Sequence, residues 1–308
     1  LGTESQAAQD LRQGIIAGLS AYLIWGLVPI FFKQLHGVGA VEIIAHRIVW
    51  SLLLMGLVLR FGGGFAQVFD NVRDPRRLAR VAVGSVLVGA NWLIFVHGIN
   101  LGQILATSLG YFILPIFNVA LGVLVLRERL RPLQWLAVVF AVIGVIAETL
   151  RVGELPWISL GLAVSFGFYG LMRKQLPMDS ASGLFLETAC MLPLAVGYLA
   201  WLHWLGQGQF GDEGVQSLLL IASGVVTAIP LLLFAISARR LPLSMIAFMQ
   251  YLAPTISFLV AVLIYHEPFD LARAVGFGAI WVGVAVYSFD LWHHSKSLIP
   301  QLTARSIS

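Results

Sequence analysis

Most of this chain consists of uncharged apolar runs separated by short stretches in which arginine, aspartate, proline and glycine gather. A helix rises ~1.5 Å per residue, so about 20 residues cross the ~30 Å of hydrocarbon in a bilayer. The runs therefore predict spanning helices, at 13–35, 39–59, 79–99, 104–126, 132–150, 156–172, 181–204, 215–237, 243–265 and 272–291. A membrane β-barrel requires short segments that alternate apolar and polar residues. Stretches such as Leu121-Gly-Val-Leu-Val-Leu126 and 133–147 are apolar on every face instead. The fold class is thus an all-α integral membrane protein with ten transmembrane helices. The longest connection, 60–80, holds Gly62-Gly-Gly64 and Asp74-Pro75, which read as turns flanking a short surface helix.

Composition removes the soluble classes: 59% of residues are hydrophobic, 11% are charged, and the mean hydropathy is +0.89. The net charge of +4 matters only through its placement. With the N-terminus inside, one side of the ten spans carries Arg12, then Arg60, Arg73, Arg76, Arg77 and Arg80, then Arg127, Arg129 and Arg131, then Arg173, Lys174, Arg239, Arg240, Lys296 and Arg305. The other side carries only Lys33, Arg151 and Arg273. Basic loops stay in the cytoplasm, so both termini are expected there, in a multi-pass protein of a bacterial inner membrane. The arginines are topology signals, and no nucleic-acid partner is expected. The first span follows Arg12, precedes Lys33 and lacks a small-x-small cleavage site, so it reads as a retained anchor. The sole cysteine, Cys190, has no partner for an intrachain disulfide.

The chain repeats itself. An offset of 139 aligns Tyr111-x-x-x-Pro115 with Gln250-x-x-x-Pro254, Phe95 with Phe234 and Glu128 with Glu267; Phe32-Lys-Gln-Leu35 is echoed by Arg173-Lys-Gln-Leu176 at an offset of 141. Five helices per unit force the second copy into the membrane upside down. The expected plan is a repeat at 11–150, its inverted copy at 151–292 and a cytoplasmic tail at 293–308. Inverted repeats are a common transporter design, with the solute site near the midplane between them. Small residues at four-residue spacing, Gly14 and Gly18, Ala137 and Ala141, Gly161 and Ser165, read as helix packing.

The motif Ser108-Leu-Gly-Tyr-Phe-Ile-Leu-Pro115, continuing through Leu126-Arg-Glu-Arg-Leu-Arg-Pro-Leu-Gln-Trp-Leu-Ala137 to Ile143-Gly-Val145, resembles the drug/metabolite transporter superfamily. Within it, Ala21-Tyr-Leu-Ile-Trp-Gly26, Glu42-Ile-Ile-Ala-His-Arg-Ile-Val-Trp-Ser51 and Gly89-Ala-Asn-Trp-Leu93 are similar to the RarD branch of the EamA family. The resemblance covers about residues 11–292. It implies a ten-helix carrier with a central cavity, commonly an exporter of small metabolites or drugs. The chain departs from the broader EamA pattern at Arg127-Glu128 and His266-Glu267, where Gly-Glu is usual.

An ionisable group within a span costs ~2.5–3.5 kcal/mol on insertion scales and needs a partner, water or a route to the surface. Three such groups fall in span 2, where Glu42 and His46 share a face and Arg47 lies beside them. In span 7, Glu187 takes the place that inversion gives to the counterpart of Glu42. Arg47 is therefore the candidate for an anionic group of the substrate; Glu187, or the Glu42 and His46 pair, is the candidate for a coupling proton. The alternative is a buried ion pair that fixes helix register. Tyr111, Pro115 and Asn118 share a face of span 4, and Gln250, Pro254 and Ser257 share the matching face of span 9. Prolines at matching positions of two repeats kink the helices and free carbonyls, a pointer to the cavity. Trp25, Asn91, Trp92 and Tyr251 are further cavity candidates. Glu128 and Glu267 read as caps for the helices that follow them. His97, His203, His293 and His294 lie at helix ends without zinc spacing, so no metal and no cofactor are expected.

The function expected is secondary transport of a small-molecule substrate by alternating access, within a lipid bilayer. A membrane-embedded enzyme would need a clustered constellation such as paired aspartates, and a channel a filter-like repeat or charge ring. Those two classes remain the alternatives, and the chain is read as a non-enzyme. No lysine follows a glycine, so the Gly-x-x-x-x-Gly-Lys phosphate loop is absent and the energy source is a gradient.

Overall fold

A computed structural model describes residues 2–127, 130–174, 176, 178–241, 245–246 and 249–305. The expectation for Glu128 lies outside these residues, as do the side chains of Lys174, His294, Lys296 and Arg305. Among the described residues the chain is helical throughout: α1 Gly2–Lys33, α2 Ala40–Gly62, α3 Phe65–Val72, α4 Pro75–Asn100, α5 Ile104–Leu126, α6 Pro132–Val152, α7 Trp157–Lys174, α8 Ser180–Trp204, α9 Gly214–Arg240, α10 Leu252–Leu259, which runs into a π-turn at Val260–Ile264, and α11 Leu271–Arg305. Eight of these, all but α3, α7 and α10, are long and apolar enough to cross a bilayer, and the shorter Leu252–Ile264 is also apolar. The chain is a multi-pass membrane protein.

Local sequence explains the element ends. The short helix expected between 60 and 80 is α3, held by buried Val68 and by Phe65, whose ring meets Phe185 edge to face at 5.6 Å. Asp74 then caps α4, its carboxylate accepting from the backbone of Arg76 and Arg77, with Pro75 at the first helical position where no N–H is needed. This starts α4 a turn earlier than expected, and α11 continues past 291 into the expected tail.

Leu124, Leu150 and Leu194 are each about four-fifths exposed, and large apolar side chains emerge along every long helix. Such a surface suits hydrocarbon, and among apolar neighbours polar groups must bond internally. Ser85, Thr188 and Thr227 accordingly return their hydroxyls to the carbonyl four residues earlier. Inside lie Phe32, Met55, Ile99, Leu105, Leu109, Leu162, Leu220 and Phe277, all fully buried.

The loops gather at two ends. At the arginine-poor end, Lys33 donates to Ile99 O and Asn100 to Val38 O, while Gln209 N–H donates to Glu42. At the arginine-rich end, Asp179 N–H donates to Gln67 and Arg240 pairs with Asp10. α6 and α11 lie against each other, tied at one end by Arg131 to Asp290 and at the other by Arg273 to Glu148.

Candidate functional site

Arg47 sits two turns into α2 with its guanidinium carbon 4.1 Å from the Trp92 ring centre and 5.6 Å from that of Phe32. The rings take the place of water around the planar cation. Its Nε is buried without a hydrogen bond, and no carboxylate among the described residues pairs with it. Tyr111 lies within electrostatic reach of the same group. The Tyr111 hydroxyl donates to Asn91 Oδ1 at 3.1 Å, and Asn91 Nδ2 donates to Leu162 O and Ser165 Oγ. Asn91 is fully buried, so its amide acts as a brace that aims Tyr111. The structure thus brings together Arg47, Trp92, Asn91 and Tyr111, four candidates from three helices.

Glu187 lies apart on α8 and accepts from the Tyr169 hydroxyl at 3.1 Å, with Arg173 nearby. Measured from the helix starts at Ala40 and Ser180, Glu187 stands level with Arg47 rather than with Glu42. A cation and a carboxylate thus stand seven residues into α2 and α8 respectively. Glu42 and His46 share a face as expected but do not pair. Glu42 accepts Gln209 N–H at 2.7 Å, and Phe210 from the same loop stacks on the His46 ring at 4.8 Å. Neither contact had a signal in sequence, because the loop folds back across the bundle to make both.

Pro115 and Pro254 lie within α5 and α10, and Pro254 O accepts from Ser108 Oγ at 2.8 Å. Ser257 is buried and donates to Gly26 O, while Asn118 is exposed. Gln250 and Tyr251 are half-buried beside Tyr287 and Ser288. Trp25 packs on Tyr22 and Phe234 at 5.3 and 5.8 Å. Of these seven, Pro254, Ser257, Gln250, Tyr251 and Trp25 lie on, beside or against α10 and α9, and Pro115 and Asn118 lie on α5.

The cap expected of Glu267 exists, but on another helix. Its carboxylate accepts the backbone N–H of Ile104 at 2.6 Å and Leu105 at 2.9 Å, donors in the first turn of α5 that have no partner within their own helix. Burial pushes the Glu267 carboxyl above the usual carboxylate range, against the opposite pull of those two N–H groups, Arg273 and Lys33. The nearby Glu148 holds Arg151 at 2.9 Å and Arg273 at 3.3 Å.

Among the described residues the molecule is a helical, multi-pass membrane bundle with charged groups in its interior. The chain belongs to the EamA-like transporter family, whose model matches it twice, over residues 12–148 and 155–289. It is similar to an uncharacterised transporter of Vibrio cholerae, 46% identical over 92% of this chain and 94% of that one. It is also similar to Protein RarD of Salmonella typhi, 43% identical over 92% of this chain and 97% of that one. A crystal structure sharing 18% identity superposes with a TM-score of 0.59, covering 90% of this chain and 97% of that one, and agrees in fold.

Proposed function

We propose that the chain is a secondary carrier of two inverted five-helix repeats, ten spans in all, that exports small metabolites or drugs from the bacterial cytoplasm by alternating access. Arg47 receives the anionic group of the solute and Glu187 the coupling proton. The observation that carries this reading is the Arg47 guanidinium, sunk between Trp92 and Phe32 with no carboxylate partner among the described residues. An intramembrane cation without a counter-charge is costly unless a ligand supplies one.

Inversion is supported by paired details. Gly26 meets Ile256 as Gly167 meets Phe117, and the ion pairs Arg131–Asp290 and Arg273–Glu148 cross-link α6 and α11 at two levels. Alternating access is the mechanism such an inverted plan commonly serves. The arginine-poor end is tied by Glu42, Lys33 and Glu267 and carries a groove of about 380 Å³ between α2, α4 and α7, and a groove of about 390 Å³ lies between α2, α8 and α9 at the other end. Both termini are assigned to the cytoplasm by the arginine bias, and export follows the family resemblance. Arg47 and Glu187 do not form a clustered constellation, which favours a carrier over an enzyme.

The test is reconstitution in liposomes holding a pH reporter, with amino acids and small drugs supplied as solutes. Saturable, proton-linked flux is expected, abolished by Arg47→Ala and by Glu187→Gln at unchanged protein level. Wild-type flux from Arg47→Ala overturns the assignment, and flux without proton movement returns Glu187 to a structural role.

A further inference from the structure

The two half-sites of the carrier share no charge contact. Arg47 has Tyr111 as its electrostatic neighbour, whereas the titratable groups acting on Glu187 are Tyr169 and Arg173 of α7 and Cys190 of α8. What joins them is a row of rings. Tyr111 meets Phe166 edge to face, with centres 6.2 Å apart at 84°, and Phe166 meets Tyr169 at 5.5 Å and 50°. Each tyrosine is tied at its far side, Tyr111 to Asn91 Oδ1 and Tyr169 to Glu187 Oε2. Phe166 has no polar group and is half-buried between them.

We propose that Phe166 is the coupling residue of the carrier, the packing link through which the protonation state of Glu187 reaches the guanidinium site at Arg47. The proposal rests on reading these two groups as proton and solute sites. An ionised Glu187 grips the Tyr169 hydroxyl more strongly than a neutral carboxyl does, because hydrogen bonds to charged acceptors are the stronger kind. When the proton arrives, that grip loosens and the ring of Tyr169 is free to turn. Packed rings shift between discrete arrangements rather than deforming smoothly. A turn of Tyr169 therefore moves Phe166, and Phe166 moves Tyr111 against the guanidinium. Linkage makes the effect mutual: occupancy at Arg47 changes proton affinity at Glu187 by the same factor.

The test needs no solute. The Glu187 carboxyl is titrated by infrared difference spectroscopy in purified protein, with Glu187→Gln assigning the band. Arg47→Gln is expected to change the proton affinity on the order of fivefold in the native background and in Phe166→Tyr, but by roughly less than twofold in Phe166→Leu. Phe166→Met replaces the leucine variant if that one does not fold. An equal change in Phe166→Leu means that the charges act through space and overturns the proposal, as does no change in the native background. In liposomes, Phe166→Leu is expected to keep saturable flux but lose its dependence on pH. Proton-linked flux in the native protein with equal titration shifts in both backgrounds removes Phe166 alone, whereas absence of any native flux overturns the carrier reading and the coupling with it.

Discussion

A guanidinium stacked on Trp92 offers its edge to a ligand, and that geometry separates arginine from lysine. Arg47→Lys keeps the charge but loses the plane and the paired donors, so it is expected to behave like Arg47→Gln, with solute affinity lower by about tenfold or more. Trp92→Leu is expected to cost a similar factor by removing ~1–2 kcal/mol of cation–π attraction, read as solute affinity in the same flux assay. Arg47 and Glu187 were legible in the sequence because charge is rare in an apolar run. Tyr169 and Phe166 were not, since an aromatic residue within a span gives no sign of which neighbour it meets. A second reading concerns backbone shape. Arg127 and His266, at matching places in the two repeats, have φ of 55° and 51° and are the positive-φ residues other than glycine among those described. The family pattern has glycine there, and a left-handed residue with a Cβ costs ~1–2 kcal/mol. Arg127→Gly and His266→Gly are each expected to stabilise the protein by on the order of 1 kcal/mol, checked by thermal unfolding in detergent.

Helix pairs carry the proposed inverted plan further than single residues do. A methyl on Gly26 would fall 2.6 Å from Ile256 Cβ, and one on Gly167 would fall 2.5 Å from Phe117 Cδ1. Backbone approach at these points presses α1 on α10 and α7 on α5. The first contact is the stiffer, because a Cβ cannot swing aside as a ring can. Gly26→Ala is therefore expected to cost ~1–3 kcal/mol by overpacking, and Gly167→Ala less, in the same unfolding assay. The α6–α11 pair shows a signal present in the sequence but hidden by counting charges loop by loop. Arg131 precedes Glu148 by the interval that separates Arg273 from Asp290, and each arginine bonds the acid of the other helix. Only antiparallel packing turns that shared interval into two cross-links. The side chain of Asp290 is almost fully buried, so Arg131→Gln, which takes the charged partner from a buried carboxylate, is expected to cost ~1–3 kcal/mol, a loss that Asp290→Asn in the same chain is expected to reduce.

The proposed ten spans require α7 and α10 to cross the bilayer along with the eight longer apolar helices. α7 is 18 residues and ends in Arg173 and Lys174, and α10 is described over a shorter apolar stretch. The arginine bias argues that both cross, because omitting one would carry every later basic loop to the other side. Sequence made the bias visible, yet the partial apolarity of α7 arises from its role: it faces α4 and α5 inside the bundle and presents Ser165, Tyr169 and Arg173 to neighbours instead of lipid. The lone Cys190 makes the test direct, since Cys190→Ser yields a cysteine-free chain. Single cysteines at the exposed positions Asp70, Glu154, Gln207, Arg239 and Leu271 then bracket α7 and α10. Ten spans with cytoplasmic termini predict that an impermeant thiol reagent labels Glu154→Cys, Gln207→Cys and Leu271→Cys on intact cells, while Asp70→Cys and Arg239→Cys react only after the membrane is opened. If α7 does not cross, Glu154 and Gln207 fall on opposite sides; if α10 does not, Arg239 and Leu271 share one. Either pattern would overturn the proposed inversion of the two repeats, and with it the opposite placement of Arg47 and Glu187 that the proposed alternating access requires.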